Sequence, residues 1–165
     1  MEHYIRSALV ALGLLILQTT FVPFLSIGGF VPDIFLIWIV YIAVRYGQIE
    51  ATVTGFLVGL LQDAVTVQFF GLSALSKTAA GFVAGYFFND NSTDQTLGTY
   101  RFILILLLSS SVHCLLYYTI FLQGIQDAVV TTTIEFSVAT TLYTGLLGVL
   151  PMLTFVRKYK LSQSL

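Results

Sequence analysis

Six apolar stretches constrain this chain more than any other feature: residues 7–25, 30–46, 51–69, 73–88, 101–122 and 134–156. Several approach the roughly 20 residues that a helix needs to cross bilayer hydrocarbon, and the second and fourth fall short of it. Hydrocarbon satisfies no backbone N–H or C=O group, so spanning segments are restricted to helices and closed barrels. A barrel needs apolar and polar residues to alternate along each strand, and that alternation is absent here. Composition agrees: 9% of residues are charged and 57% apolar, against about 25% charged in an ordinary soluble domain. Mean hydropathy is +0.92. The chain therefore reads as an all-α integral membrane protein, one transmembrane domain over residues 1–165 built as a compact bundle of six helices. No segment outside the stretches is large enough for a soluble domain.

The basic residues set an orientation. With the N-terminus in the cytoplasm, Arg6, Arg45, Arg101, Arg157, Lys158 and Lys160 all lie inside and only Lys77 does not, which satisfies the positive-inside rule. An even helix number returns the C-terminus to the cytoplasm, where Arg157 to Lys160 anchor the last helix. The first stretch follows Arg6 as a secretory signal would, but it lacks a small-x-small cleavage pattern and reads as a retained helix. The inner loop at residues 89–101 is the most polar segment, and its turn formers mark it as flexible or partner-exposed. Asn91-Ser92-Thr93 matches a glycosylation sequon, an accidental match on a cytoplasmic loop. The single cysteine, Cys114, rules out an intrachain disulfide. A net charge of −1 gives no sign of nucleic-acid binding.

Two charges stand inside otherwise apolar sequence. Gly55, Gly59 and Asp63 follow one another at four-residue spacing, and Lys77, Gly81 and Gly85 repeat that spacing in reverse order, so each helix carries a small-residue stripe ending in a charge. Small-xxx-small stripes let helices approach closely in membranes. With the hairpin tip near Phe70, both charges lie about 10 Å below it, and close approach would bring Asp63 and Lys77 together as an ion pair. The competing arrangement has Lys77 reaching toward the outer surface while Asp63 faces water or caps backbone groups of a neighbour.

The first outer loop ends at Pro32-Asp33, a helix start in which proline needs no N–H partner and the carboxylate favours the positive dipole end. Asp33 reads as a cap. In the last helix Ser137, Thr141, Gly145 and Thr140, Thr144, Gly148 form two adjacent small-residue stripes, a packed face rather than a lipid face. Glu135 reads as a cap at the outer start of this helix, with partner contact as its other role, and Pro151 kinks the cytoplasmic end. His113, about 18 Å along its helix from Arg101, is expected as a neutral imidazole hydrogen-bonded within the bundle. No His, Cys or carboxylate stands at ligand spacing from it, and phosphate loops, zinc-protease motifs and nucleophile elbows are all missing. The sequence points to no enzyme and no cofactor.

Pro32-Asp33, Gly47 after Arg45, Gly55-Phe56, Gly59, and Asp63 followed by Gly71-Leu72 and Ala74-Leu75 form an ordered set that resembles the rod shape-determining protein MreD family. The resemblance is carried by the first half of the chain; the second half matches in hydropathy and helix count. It implies a non-catalytic inner-membrane subunit of the machinery that inserts lateral cell wall in rod-shaped bacteria. The partners implied are MreC, and through it MreB, RodA and a class B penicillin-binding protein, with membrane lipid around the bundle. Lys77 is not part of the family pattern. Within the resemblance Asp63, Gly71 and Leu72 shape the outer end of the third helix and its turn, where partner helices or periplasmic segments dock.

The alternative is a substrate-binding subunit of an energy-coupling-factor vitamin transporter, also a compact six-helix protein. Such a protein lines an outward cavity with convergent polar or aromatic groups; Gln18, Thr19, Thr20, Trp38 and Tyr41 are the residues available for one.

Overall fold

The computed structural model describes residues 2–66, 69–90, 93–123 and 129–163, and every regular element in them is helical. Helix α1 (Glu2–Ile16) runs into a π turn (Leu17–Phe21) and a 3-10 turn (Val22–Leu25). Then follow α2 (Ile34–Tyr46), α3 (Gln48–Thr66), α4 (Leu72–Gly85), the short α5 (Thr93–Leu97), α6 (Tyr100–Phe121) and α7 (Val129–Gln163). Helix α6 and residues 130–154 of α7 are each long and apolar enough to cross a bilayer. Large apolar side chains such as Ile49, Leu57, Leu104, Leu142, Leu146 and Leu150 are exposed on the outside of the bundle, which suits contact with lipid and would be unusual for a surface in water.

Several bounds differ from the expected ones, each for a local reason. Helix α2 starts at Ile34 rather than at residue 30. Gly28 and Gly29 take positive φ, and Ile27 and Phe30 exchange backbone hydrogen bonds, so the chain turns before the helix begins. The polar loop at 89–101, expected to be flexible or partner-exposed, contains α5: Leu97 packs in the core and Thr93 and Thr96 are buried, while Arg45 bonds Asp94 at 2.9 Å. Helix α7 starts at Val129, not at residue 134. The β-branched run Val129–Thr133 has low helix propensity, but backbone groups away from water favour the helix regardless. Glu135 therefore sits in the second turn, exposed, and is not the helix cap. Helix α7 continues through Pro151 to Gln163. Residues 67 and 68 of the third stretch, Asn91 and Ser92 of the sequon, and the Arg157, Lys158 and Lys160 side chains lie outside the described residues.

Helices α3 and α4 pack with their backbones touching. A Cβ at Gly55 would stand 2.5 Å from the Lys77 carbonyl oxygen, one at Gly59 2.5 Å from the Ser73 carbonyl oxygen, and one at Gly81 2.5 Å from the Ala51 carbonyl oxygen. At Gly85 it would strike the backbone of Gln48. The α7 glycines serve differently: Gly145 receives the Leu107 side chain and Gly148 the Leu106 side chain, both from α6. The core lies between α2, α4 and α6, where Leu36, Val40 and Ala43 meet Ala80, Ala84, Phe102 and Leu106. Helix α1 joins a second cluster, through Ala11 and Leu15 against Phe35 and Ile39.

Gly55→Val and Gly59→Val are expected to lower thermal stability, since overpacking costs about 1–3 kcal/mol and rigid backbone neighbours place these sites at the upper end. Gly13, with nothing within 4 Å of an added Cβ, is the control, and Gly13→Val should leave the melting point nearly unchanged. Thermal unfolding of the detergent-solubilised protein, followed by size-exclusion chromatography, reads this. Equal losses at all three positions would attribute the effect to something other than helix contact.

Candidate functional site

Helices α2 and α4 are short. Their 13 and 14 residues reach about 20 Å at 1.5 Å per residue, whereas bilayer hydrocarbon is about 30 Å thick. They start at the same end of the bundle, and each start holds a buried aspartate.

Asp33 caps α2 by accepting from the Phe35 N–H at 2.9 Å through Oδ1, while its own N–H donates to Thr144 Oγ1 of α7 at 3.1 Å. Its Oδ2 receives the Lys77 ammonium directly and lies 3.5 Å from Nε2 of His113. Lys77 is 1% exposed, and its Nζ also stands 5.9 Å from the centroid of the Phe35 ring, close enough for a cation–π contribution. Gln18 grips the same start from the π turn: its amide donates to the Pro32 carbonyl and accepts from the Ile34 N–H, each at 3.0 Å. Four segments of the chain thus meet on one carboxylate and the peptide groups beside it.

Asp63 does not pair with Lys77; the cation pairs with Asp33. Asp63 instead accepts from Gly71 N–H at 2.9 Å and from Ser73 and Ala74 N–H groups at 3.2 Å each. The physical reason is the free N–H groups of α4: a helix start without partners would be costly at this depth, and a carboxylate answers both the donors and the dipole. Gly71, at φ +94°, supplies the left-handed residue that turns the chain onto this cap, and Leu72 is buried next to it. The turn is tied to α3 through one side chain.

An aromatic layer covers this end. Phe30 lies edge-on to Phe136 at 5.0 Å, Phe69 to Phe121 at 5.9 Å, and Tyr117 stacks between Phe121 at 5.7 Å and His113 at 5.8 Å. Below it, Ser110 and Thr141 face one another at 3.5 Å and Tyr118 and Thr140 at 3.2 Å, which joins α6 to α7.

The sequence pattern singled out Asp33 and His113 separately and set Lys77 beside Asp63, whereas the structure brings Asp33, Lys77 and His113 together. A one-dimensional pattern carries no signal for that grouping. The bonds made by Gln18 and Thr144 had no signal of their own. The residues available for a transporter cavity do not converge. Gln18 is committed to backbone, Thr19 bonds the Leu15 carbonyl at 2.8 Å, and Trp38 lines a groove of about 730 Å³ between α1, α2 and α3 whose walls are mostly apolar. Among the described residues, no three His, Cys, Asp or Glu side chains converge as metal ligands.

The rod shape-determining protein MreD family model matches residues 3–161. The chain belongs to that family. Comparison with curated proteins and with solved structures gave no significant match. As an MreD-family member the chain is a non-catalytic, multi-pass protein of the bacterial inner membrane that acts in the cell-elongation and shape machinery. A buried ion pair and two capped helix starts suit such a role, since they fix geometry and transform nothing.

Removing one partner of a buried ion pair costs about 3–5 kcal/mol because the other charge is stranded. Lys77→Met is therefore expected to lower the melting point strongly, and Asp33→Asn in the same chain should recover most of the loss, as Asn is also a good N-cap. A double-mutant cycle on thermal unfolding measures the coupling. Exchanging charges as Asp63→Lys with Lys77→Asp should give no rescue; rescue would restore the Asp63–Lys77 pairing that the geometry rejects.

Proposed function

We propose that this protein is a membrane-embedded coupling subunit that binds MreC and, through it, ties MreB, RodA and a class B penicillin-binding protein to lateral wall synthesis. In this reading the chain is a single domain in which α1, α2, α3, α4, α6 and α7 each cross the membrane. Both termini are cytoplasmic, and the end bearing Asp33 and Asp63 faces the periplasm. The paired Arg45 and Asp94 then lie at the cytoplasmic surface, in keeping with the positive-inside rule.

The observation that carries the reading is the cap that Asp63 makes on the Gly71 turn. In this reading it holds the start of α4 below the outer surface, among the residues that carry the resemblance to the family. A helix start fixed in this way offers a partner a rigid turn on which Phe69 and Phe70 are exposed. The docking site proposed is this turn, with Gly71 and Leu72 at its centre and Asp63 beneath; Glu135, exposed on α7, is a further contact at the same end.

Replacing the chromosomal copy tests it. Asp63→Asn and Gly71→Val should turn rods into rounded cells while the amount of protein in the membrane stays the same, measured by microscopy and immunoblotting. Normal rods with either substitution would remove the turn from the mechanism. Rounded cells that have also lost the protein would reduce it to a folding element.

A further inference from the structure

We infer that the seam between α6 and α7 is a hydrated path, entered from the end at which α7 starts, that brings water down to the buried Asp33–Lys77–His113 cluster. The periplasmic location of that entrance rests on the topology proposed above.

Hydroxyl side chains in apolar helices ordinarily satisfy themselves on the carbonyl one turn back. Several in this chain do so: Thr52 on Gln48, Ser76 on Leu72, Thr78 on Ala74 and Ser111 on Leu107, all between 2.6 and 2.8 Å. Others do not. Ser109, Thr133 and Ser137 are each at least 95% buried, and their hydroxyls have no protein partner; Nδ1 of the 6% exposed His113 has none either. Four orphaned polar atoms, two on the α7 face and two one turn apart on α6, require an explanation, because buried polar groups in native proteins almost always find a partner, protein or water.

Spacing supplies one. Thr133, Ser137, Thr141 and Thr144 follow at three- or four-residue intervals on one face of α7, and such neighbours stand about 5–6 Å apart. That is the distance one water bridges between two oxygens at about 2.8 Å each. Thr144 holds the Asp33 N–H, and Ser110 on α6 faces Thr141. The hydroxyl row therefore ends on the peptide group of the residue whose carboxylate carries Lys77 and faces His113. Water at this place would lessen the penalty of keeping Asp33 and Lys77 ionised inside the membrane.

The chain contains one cysteine, so a cysteine-free Cys114→Ala background allows single thiols to be placed by Thr133→Cys, Ser137→Cys and, as controls exposed on the outside of α6, Leu116→Cys and Ile120→Cys. A membrane-impermeant cationic methanethiosulfonate reagent is applied to spheroplasts. Thiols react as thiolates, which need water, so the two seam positions should react at least about tenfold faster than the controls. Val130→Cys, at the exposed start of α7, reports which face the reagent reaches, so a wrong topology is distinguished from a dry seam. Seam thiols that react no faster than the controls from the side where Val130→Cys is labelled would overturn the inference. Thr133→Val gives an independent reading: it removes an orphaned hydroxyl at constant shape, which raises the melting point of a dry seam and lowers that of a bridged one.

Discussion

The carboxylate of Asp33 is the point on which the bundle is assembled. A charge away from water is tolerated when an opposite charge and hydrogen-bond donors surround it, and here they come from separate parts of the chain. The Phe35 N–H comes from α2 itself, the ammonium from α4 and the imidazole edge from α6. The adjacent peptide groups are held by α7 and by the turn after α1. Lipid offers no hydrophobic drive to bring helices together, so a polar node that only one arrangement satisfies selects that arrangement from the many that apolar contact alone would permit.

Glycine contact does the complementary work. The α3–α4 pair is defined by backbone touching backbone at Gly55, Gly59, Gly81 and Gly85, and Asp63 closes the same hairpin by capping the helix that follows it. Both aspartates thus perform one task, stabilising a helix start that the membrane would otherwise penalise. The result is a scaffold with most of its described residues in apolar helices, which suits a non-catalytic member of the cell-elongation machinery.

Much of this was legible in the sequence. Length and hydropathy of the six stretches gave the helices, and the glycine spacing gave the α3–α4 stripe. Chemistry at Pro32-Asp33 gave a cap. What failed was pairing. Equal depth and complementary stripes made Asp63 the natural partner of Lys77, but a one-dimensional pattern does not reveal that α4 begins with unmatched N–H groups and that Asp63 answers them. Nor does it show that α2 stands beside α4 on the Lys77 face. The cap at Glu135 went astray for a related reason: local propensity marks where a helix is weak, whereas the need to satisfy backbone groups extends α7 to Val129.

The most direct test of the coupling role is to tag the chain at its chromosomal locus, extract it from its native membrane in mild detergent, and identify the co-purifying proteins by mass spectrometry. A single-span coiled-coil protein of the MreC type, recovered with RodA and a class B penicillin-binding protein, is the expected result. Recovery instead of a transmembrane coupling protein with paired cytoplasmic ATPases would contradict it and make the bundle a transporter component.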